Sequence, residues 1–369
     1  MLEAAAMRDL RIVWVAHGDA NGLRDDPEVL CHHWSAGRRL RVGLPAKWLR
    51  SAGATQWLLS PPSADGLEQA LRARPALVVV SGLYPNVDGR RDARSYFECV
   101  DAFRRAGIPI VVDLAENHFD DERAAEFRDM IERSDALVVN TRALADIVAE
   151  ETGRESVVVG DPVEGARREP AFAPPALRSA VARLWPARAP GRPVRLLWFG
   201  AQARNYQYLQ RRVPQLLALA PRIRIELALV AGPIDAIATD VERWNAGSAD
   251  FRVRQALWSP QTLARELERC DLVLIPSDVG KRMAASTNRI AEATWAGRFV
   301  VANGLPSYWE FRHSAWIGED LVEGLLWALR NRGEVVARIA KGQSHIESHY
   351  APEVIGRAWR EALAPMCAV

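Results

Sequence analysis

Residues 270–303 read CDLVLIPSDVGKRMAASTNRIAEATWAGRFVVAN, and their order decides the fold. Residues 271–276 form an apolar run of buried-strand length. Residues 277–285 are a polar loop carrying Gly280, Lys281 and Arg282. Ser286 or Thr287 then caps a helix that runs to about Ala296 and stops at Gly297, and 299–302 is the next strand. Continuous apolar strands separated by helices are the signature of a parallel sheet covered on both faces. The alternation extends both ways. Upstream in the same half lie the runs 194–199 and 223–230, and in the first half 11–16, 56–59, 77–81, 108–113, 136–140 and 156–159. Helix-like stretches at 42–51, 67–74, 94–105 and 122–133 separate the earlier runs. Residues 164–193, with six prolines, break the rhythm and read as an interdomain linker. The fold class is α/β, with two doubly wound Rossmann-like domains facing a cleft, residues 1–165 and 193–345, and a linker at 166–192. Residues 352–364 read as one further amphipathic helix.

In such folds ligands bind at the carboxyl ends of the strands, so the candidate residues follow each strand. After the strand at 271–276, the helix beginning near 287 brings free backbone N–H groups and a partial positive charge to that edge. Lys281, Arg282, Ser286 and Thr287 converge there, and a phosphate or diphosphate is the natural guest. Glu292 lies at i+4 from Asn288, on roughly the same face, where it can accept from a ribose diol. Equally, Glu292 reads as an ordinary helix acid paired with Arg289. After the strand at 194–199 come Gly200, which lets a ligand approach the backbone, then Arg204, whose fork suits phosphate, and Asn205. A plain strand-to-helix turn reads the same way. After the strand at 108–113, Asp113 and His118 can each hydrogen-bond a sugar or handle a proton, or His118 can be a packed side chain.

Composition narrows the class. The 48 basic and 46 acidic residues of this 369-residue chain leave a net charge of +2, with no footprint for nucleic acid and at most peripheral membrane contact. Only Lys47, Lys281 and Lys341 among the basic residues are lysines, which gives Lys281 added weight. Cys31, Cys99, Cys270 and Cys367 are scattered and form no zinc or redox motif, which fits a reducing cytoplasm. No apolar stretch has the length of a membrane span. No G-x-G-x-x-G, Walker lysine or D-x-D is present, and the chain offers no metal site. His345-x-Glu347-x-His349 lacks a third ligand and reads as a solvated helix-entry segment. Trp34 and Trp48 can stack on a sugar ring.

Taken in order, these segments resemble the GT-B glycosyltransferases of family 4, or group 1, type over most of the chain. Residues 35–42 (SAGRRLRV) resemble the segment before the acceptor-facing helix. Residues 134–141 (SDALVVNT) resemble the family's "aD-vvv-T" strand, and 157–164 the strand and turn closing its first domain. Residues 196–200 resemble the opening strand and glycine of its donor domain. Residues 270–276, 288–297 and 300–302 are similar to its most recognisable block. The final segment, 346–369, resembles the crossover helix that packs back on the first domain.

The resemblance implies transfer of a glycosyl group from a nucleotide sugar, held by the second domain, to a glycan, lipid-linked glycan or protein acceptor held by the first. Retention of configuration, no metal or other cofactor, and a place in bacterial surface polysaccharide or glycoconjugate synthesis follow from it. Glu292 corresponds to the second acid of the family's E-x7-E motif, on the ribose, and Lys281 and Arg204 to its basic pair on the diphosphate. Asp113 and His118 stand near its "H-D" pair, and Lys281 stabilises charge as the diphosphate departs. Two departures stand out. The first acid of E-x7-E falls at Ala284, and the usual arginine after the donor-domain glycine is Ala201. A non-catalytic nucleotide-sugar or glycan-binding subunit is the alternative, and a sugar-nucleotide epimerase or hydrolase on the same scaffold needs a fuller acid–base set.

Overall fold

The computed structural model describes residues 10–17, 21–33, 35–82, 93–173, 192–200, 203–232, 234–278 and 284–367, without the side chains of 203, 204, 235 and 367. The chain divides into two compact units. One is Met1–Pro162 with Met283–Ser286 and Ala351–Val369, the other Val163–Arg282 with Thr287–Tyr350.

In the first unit the described strands are β1 (Arg11–Val15), β2 (Gly22–Arg24), β3 (Thr55–Ser60), β4 (Leu77–Ser81), β5 (Ile110–Leu114), β6 (Ala136–Val139) and β7 (Val157–Val158). They lie in the order β2-β3-β1-β4-β5-β6-β7, all parallel except β2, which runs antiparallel to β3. Between them run α1 (Leu44–Ser51), α2 (Ala64–Arg72), α3 (Ala93–Arg105), α4 (Ala124–Glu132) and α5 (Arg142–Thr152). Strand β1 shows why the apolar runs are continuous. Val13 and Val15 enter one core with Phe103, Phe127 and Leu144, while Ile12 and Trp14 enter a second with Leu49 and Leu58. Side chains alternate across a strand, so a sheet buried on both faces leaves no polar phase.

The second unit repeats the plan with β8 (Val194–Gly200), β9 (Ile225–Ala231), β10 (Phe251–Leu257), β11 (Leu272–Ile275), β12 (Phe299–Ala302) and β13 (Trp316–Ile317), ordered β10-β9-β8-β11-β12-β13 and parallel throughout. Its helices are α6 (Ala203–Gln210), α7 (Val213–Leu219), α8 (Asp235–Gly247), α9 (Pro260–Arg269), α10 (Asn288–Trp295), α11 (Leu321–Arg330) and α12 (Arg332–His349). In each sheet the strand order reverses once, between β1 and β4 and between β8 and β11, and that reversal is where doubly wound folds bind ligands. The last helix, α13 (Pro352–Leu363), belongs to the first unit. There Ile355, Trp359 and Leu363 complete the core, with the Trp359 ring 5.6 Å from Trp14.

The unit boundaries differ from those read in the sequence. Residues 163–173 lie in the second unit, where Val163 N–H donates to the Tyr350 carbonyl (3.0 Å) and Arg168 N–H to the Trp295 carbonyl (3.1 Å). The returning segment starts at Ala351, because residues 345–349 finish α12. His345 and His349 therefore sit at a helix end and not at a helix entry, with ring centroids 4.4 Å apart. Residues 174–191, including the helix-like patch of the linker, lie outside the described residues, as does Trp34.

Candidate functional site

The carboxyl edge of the second sheet is built from the stretch that decided the fold. After β11, Ser277 N–H donates to Asn303 Oδ1 at 2.9 Å, and Asn303 Nδ2 donates to the Gly318 (3.2 Å) and Glu319 (3.0 Å) carbonyls. This one amide ties the ends of β11 and β12 together. Helix α10 then starts at the switch point, with Thr287 buried at its N-cap and offering no side-chain cap. Gly297 ends the helix at φ +72°, and a Cβ there would stand 2.2 Å from the Glu169 carbonyl oxygen. Only glycine meets both demands.

In the first turn of α10, Arg289 Nη1 is buried and has no hydrogen-bond partner among the described residues. A buried guanidinium nitrogen left unpaired is costly, and an anion at the helix N-terminus is the group that relieves it. Gly200 ends β8, beside the Trp198 ring, and Asn205 is buried in α6. Asn288 opens α10. The Arg204 side chain and all of Lys281 lie outside the described residues.

Two expected ligand groups have partners within their own units. Glu292, 5% exposed, accepts from the backbone N–H of Glu164 and from that of Gly165 at 3.3 Å. It pins the chain entering the second unit. Ser286 belongs to the first unit, where its Oγ donates to Asp161 Oδ2 at 2.5 Å. Ala284 is likewise in the first unit, buried in its core, so the position of the missing acid is filled by packing.

The carboxyl edge of the first sheet carries a polar hub that sequence reasoning missed. Arg41, 1% exposed, binds Asp113 through Nη2 (2.5 Å) and Nε (3.1 Å) and Asp161 through Nη1 (3.1 Å), and also donates to the Val159 carbonyl (2.6 Å). Ser81 Oγ donates to Asp113 at 3.0 Å, Asn140 Nδ2 donates to the Ala115 carbonyl at 3.0 Å, and the guanidinium lies 5.1 Å from the Trp359 ring centroid. Burial pushes the Asp113 carboxyl upward against the pull of Arg41 and Ser81. The Asp113 carboxyl is enclosed, and its partners among the described residues are Arg41 and Ser81. Arg41 sits in a π-helical turn (Arg39–Gly43), whose phase departs from the 3.6-residue period. The usable signal was compositional, since three arginines stand within residues 38–41 and a buried arginine is rarely without a partner.

His118 follows β5 and is half-enclosed. Its Nδ1 lies 3.0 Å from Asp121 Oδ2, and its ring packs edge-on to Phe127 at 5.4 Å. Burial, then the nearby Arg123, hold its pKa below the ordinary histidine value. Among the described residues no group of three or more His, Cys, Asp or Glu is arranged to hold a metal ion, and no helix is long and apolar enough to cross a membrane.

No known family profile matches the chain, and no curated protein matches it by sequence. Solved structures do. The chain is similar to HepE from Anabaena, determined in complex with UDP-glucose, at 13% identity with a TM-score of 0.62 over 96% of this chain and 100% of that one. It is similar to a glycosyltransferase from Rickettsia africae at 10% identity and TM-score 0.61, covering 96% and 98% of the two chains. An α,α-trehalose 6-phosphate synthase from Burkholderia multivorans matches at 13% identity and TM-score 0.59, covering 97% and 98%. With its two parallel Rossmann-like sheets and this set of neighbours, the chain has the GT-B glycosyltransferase fold.

Proposed function

We propose that the protein transfers a glycosyl group from a nucleoside-diphosphate sugar, held at the carboxyl edge of the second sheet, to a hydroxyl of a glycan, lipid-linked glycan or protein. The observation that carries this reading is the unpaired, buried Nη1 of Arg289 at the N-terminal turn of α10, in a GT-B fold. A guanidinium and free N–H groups at a switch point are suited to a diphosphate and to the charge that grows as it leaves. Lys281, Arg204, Asn205, Gly200, Thr287 and Asn288 complete the proposed donor site. These cations supply the counter-charge that a metal gives elsewhere, so transfer proceeds without one. With Asp113 enclosed and paired with Arg41, retention driven by the departing diphosphate fits better than base-assisted inversion. Scattered cysteines without a zinc or redox spacing suit the cytoplasm, and bacterial surface polysaccharide or glycoconjugate synthesis is the proposed setting.

The test is a thermal-shift screen against UDP, GDP, ADP, CMP, dTDP and their common sugars. A ligand at a hundred times its Kd adds about 2.7 kcal/mol. We expect a shift with one nucleotide class, and Arg289→Ala or Lys281→Ala should remove about 1.5–3 kcal/mol of that binding. A folded sample that responds to none of them overturns the donor site. A second reading, a nucleotide-sugar-binding subunit without turnover, is favoured by the buried Ala284 and by Glu292 being tied to backbone. Binding without release of nucleotide in any donor and acceptor combination would establish it.

A further inference from the structure

Strands β11 and β12 run in parallel register, with Ile275 beside Ala302. One step further the ladder cannot continue through β11, because Pro276 has no N–H to give. The Asn303 side chain takes over at that point. A backbone N–H only donates and a carbonyl only accepts, so the Ser277 N–H fixes Oδ1 of the amide, and the Gly318 and Glu319 carbonyls fix Nδ2. The two sides agree on one orientation. Backbone bonds flank it: Asn303 N–H donates to the Ile275 carbonyl at 3.3 Å, and Gly318 N–H to the Ala302 carbonyl at 3.1 Å. Asn303, 2% exposed, thus secures the carboxyl ends of β11, β12 and β13 with three hydrogen bonds from one side chain.

The Ser277 hydroxyl is left over from this arrangement. The residue is 7% exposed, and its Oγ is buried with no hydrogen-bond partner among the described residues. Its backbone N–H is already taken, so of its donors only the hydroxyl remains. A hydroxyl can both donate and accept, and enclosing one without a partner costs free energy that a ligand oxygen would offset. Ser277 also stands where doubly wound folds take their ligands, past the end of a strand that borders the reversal between β8 and β11.

We propose that Ser277 Oγ hydrogen-bonds the nucleotide-sugar donor, at a hydroxyl or phosphoryl oxygen, and that Asn303 is the positioning residue that aims it. Calling the ligand a nucleotide sugar rests on the glycosyl-transfer reading. The latch by Asn303 does not. Because the hydroxyl is unmatched in the free protein and matched only with donor bound, removing it separates binding from folding.

The experiment measures Kd by titration calorimetry for UDP and UDP-glucose, or for the corresponding pair of the class that responds in the thermal screen, beside the melting temperature of the free full-length chain. We expect Ser277→Ala to leave that melting temperature unchanged or raised and to weaken the nucleotide sugar about three- to tenfold, the worth of one neutral hydrogen bond. The same loss with the bare diphosphate places the contact on phosphate, and a loss confined to the nucleotide sugar places it on the glycosyl group. Asn303→Asp keeps the acceptor for Ser277 N–H but turns an oxygen on the two carbonyls, so it should weaken the nucleotide sugar as well. In a double-mutant cycle that effect should vanish once Ser277 is replaced by alanine, because Asn303 acts through it. A purely structural amide would cause the same loss in both backgrounds, and that result overturns the positioning role. Unchanged affinity in Ser277→Ala, or a lower melting temperature of its free form, overturns the contact, since the hydroxyl would then be idle or already paired. If the wild-type chain binds no nucleotide of the screen, the donor reading fails and the contact with it. Slow hydrogen exchange at the Ser277 N–H, lost in Asn303→Leu, still decides the latch.

Discussion

Arg41 holds two buried carboxylates, Asp113 and Asp161, from a position that water does not reach. Removing the cation alone leaves their charge uncompensated, so Arg41→Met should cost about 3–5 kcal/mol, the usual loss on breaking one side of a buried pair. Urea unfolding measures it, and a loss under about 1 kcal/mol would mean that the side chain only fills space. The histidine beside Asp121 gives a pH signature. Folded His118 resists protonation, and the unfolded chain takes up more protons below the ordinary value of 6.5. Stability attributable to His118 is therefore complete above that value and declines as pH falls through it toward the lowered folded value. His118→Gln should flatten the slope of stability against pH in that window, as read by thermal melts at a series of pH values. These residues also show how far a sequence speaks. His118 and Arg289 were legible because their place, just past a strand or at a helix start, is a local property. The commitments of Asp113 to Arg41 and of Glu292 to the Glu164 and Gly165 backbone span 72 and more than 100 residues, and no local pattern encodes them.

At the scale of elements, α10 depends on how it ends. Gly297 combines a left-handed backbone with the close approach of the Glu169 carbonyl. Gly297→Ala meets both the wrong φ and an occupied space, and should destabilise by more than about 1 kcal/mol. A fall in melting temperature checks this, with Gly107→Ala as the comparison, since Gly107 has a similar φ of +71° and open space around it. The strands that were read correctly are those buried on both faces, where every residue is apolar. Strand β10 was missed because it lies at the edge of its sheet, where Arg252 and Arg254 interrupt the apolar run and stand exposed. Strands β2 and β13, of three and two residues, are too short to carry a period. The π turn at Arg39–Gly43 shifts the helical phase within a single turn, so a fixed 3.6-residue template passes over Arg41.

At the scale of the whole molecule, the alternation of strands and helices was enough to predict two doubly wound sheets, and the resemblance implied the return of the last helix to the first unit, but the chain's points of exchange do not show in the alternation. They depend on Ala284 and α13 joining a core whose other members lie far upstream. A chain ending at Tyr350 should therefore lose the first unit's cooperative melt and bind the dye ANS, while the second unit keeps its own transition. An unchanged first transition would show that α13 is dispensable. Trp359→Ala should cost about 3–5 kcal/mol for the same reason. The return of α13 also sets a schedule for biosynthesis. Domains commonly fold in the order in which the ribosome delivers them, at about 5–20 residues per second. Here the first unit to emerge is the last to be finished, waiting roughly 10–40 s at those rates for the residues that separate Pro162 from the end of α13. During that interval the apolar surface reserved for Ile355, Trp359 and Leu363 is open, so the first unit is a client for chaperones until α13 is delivered.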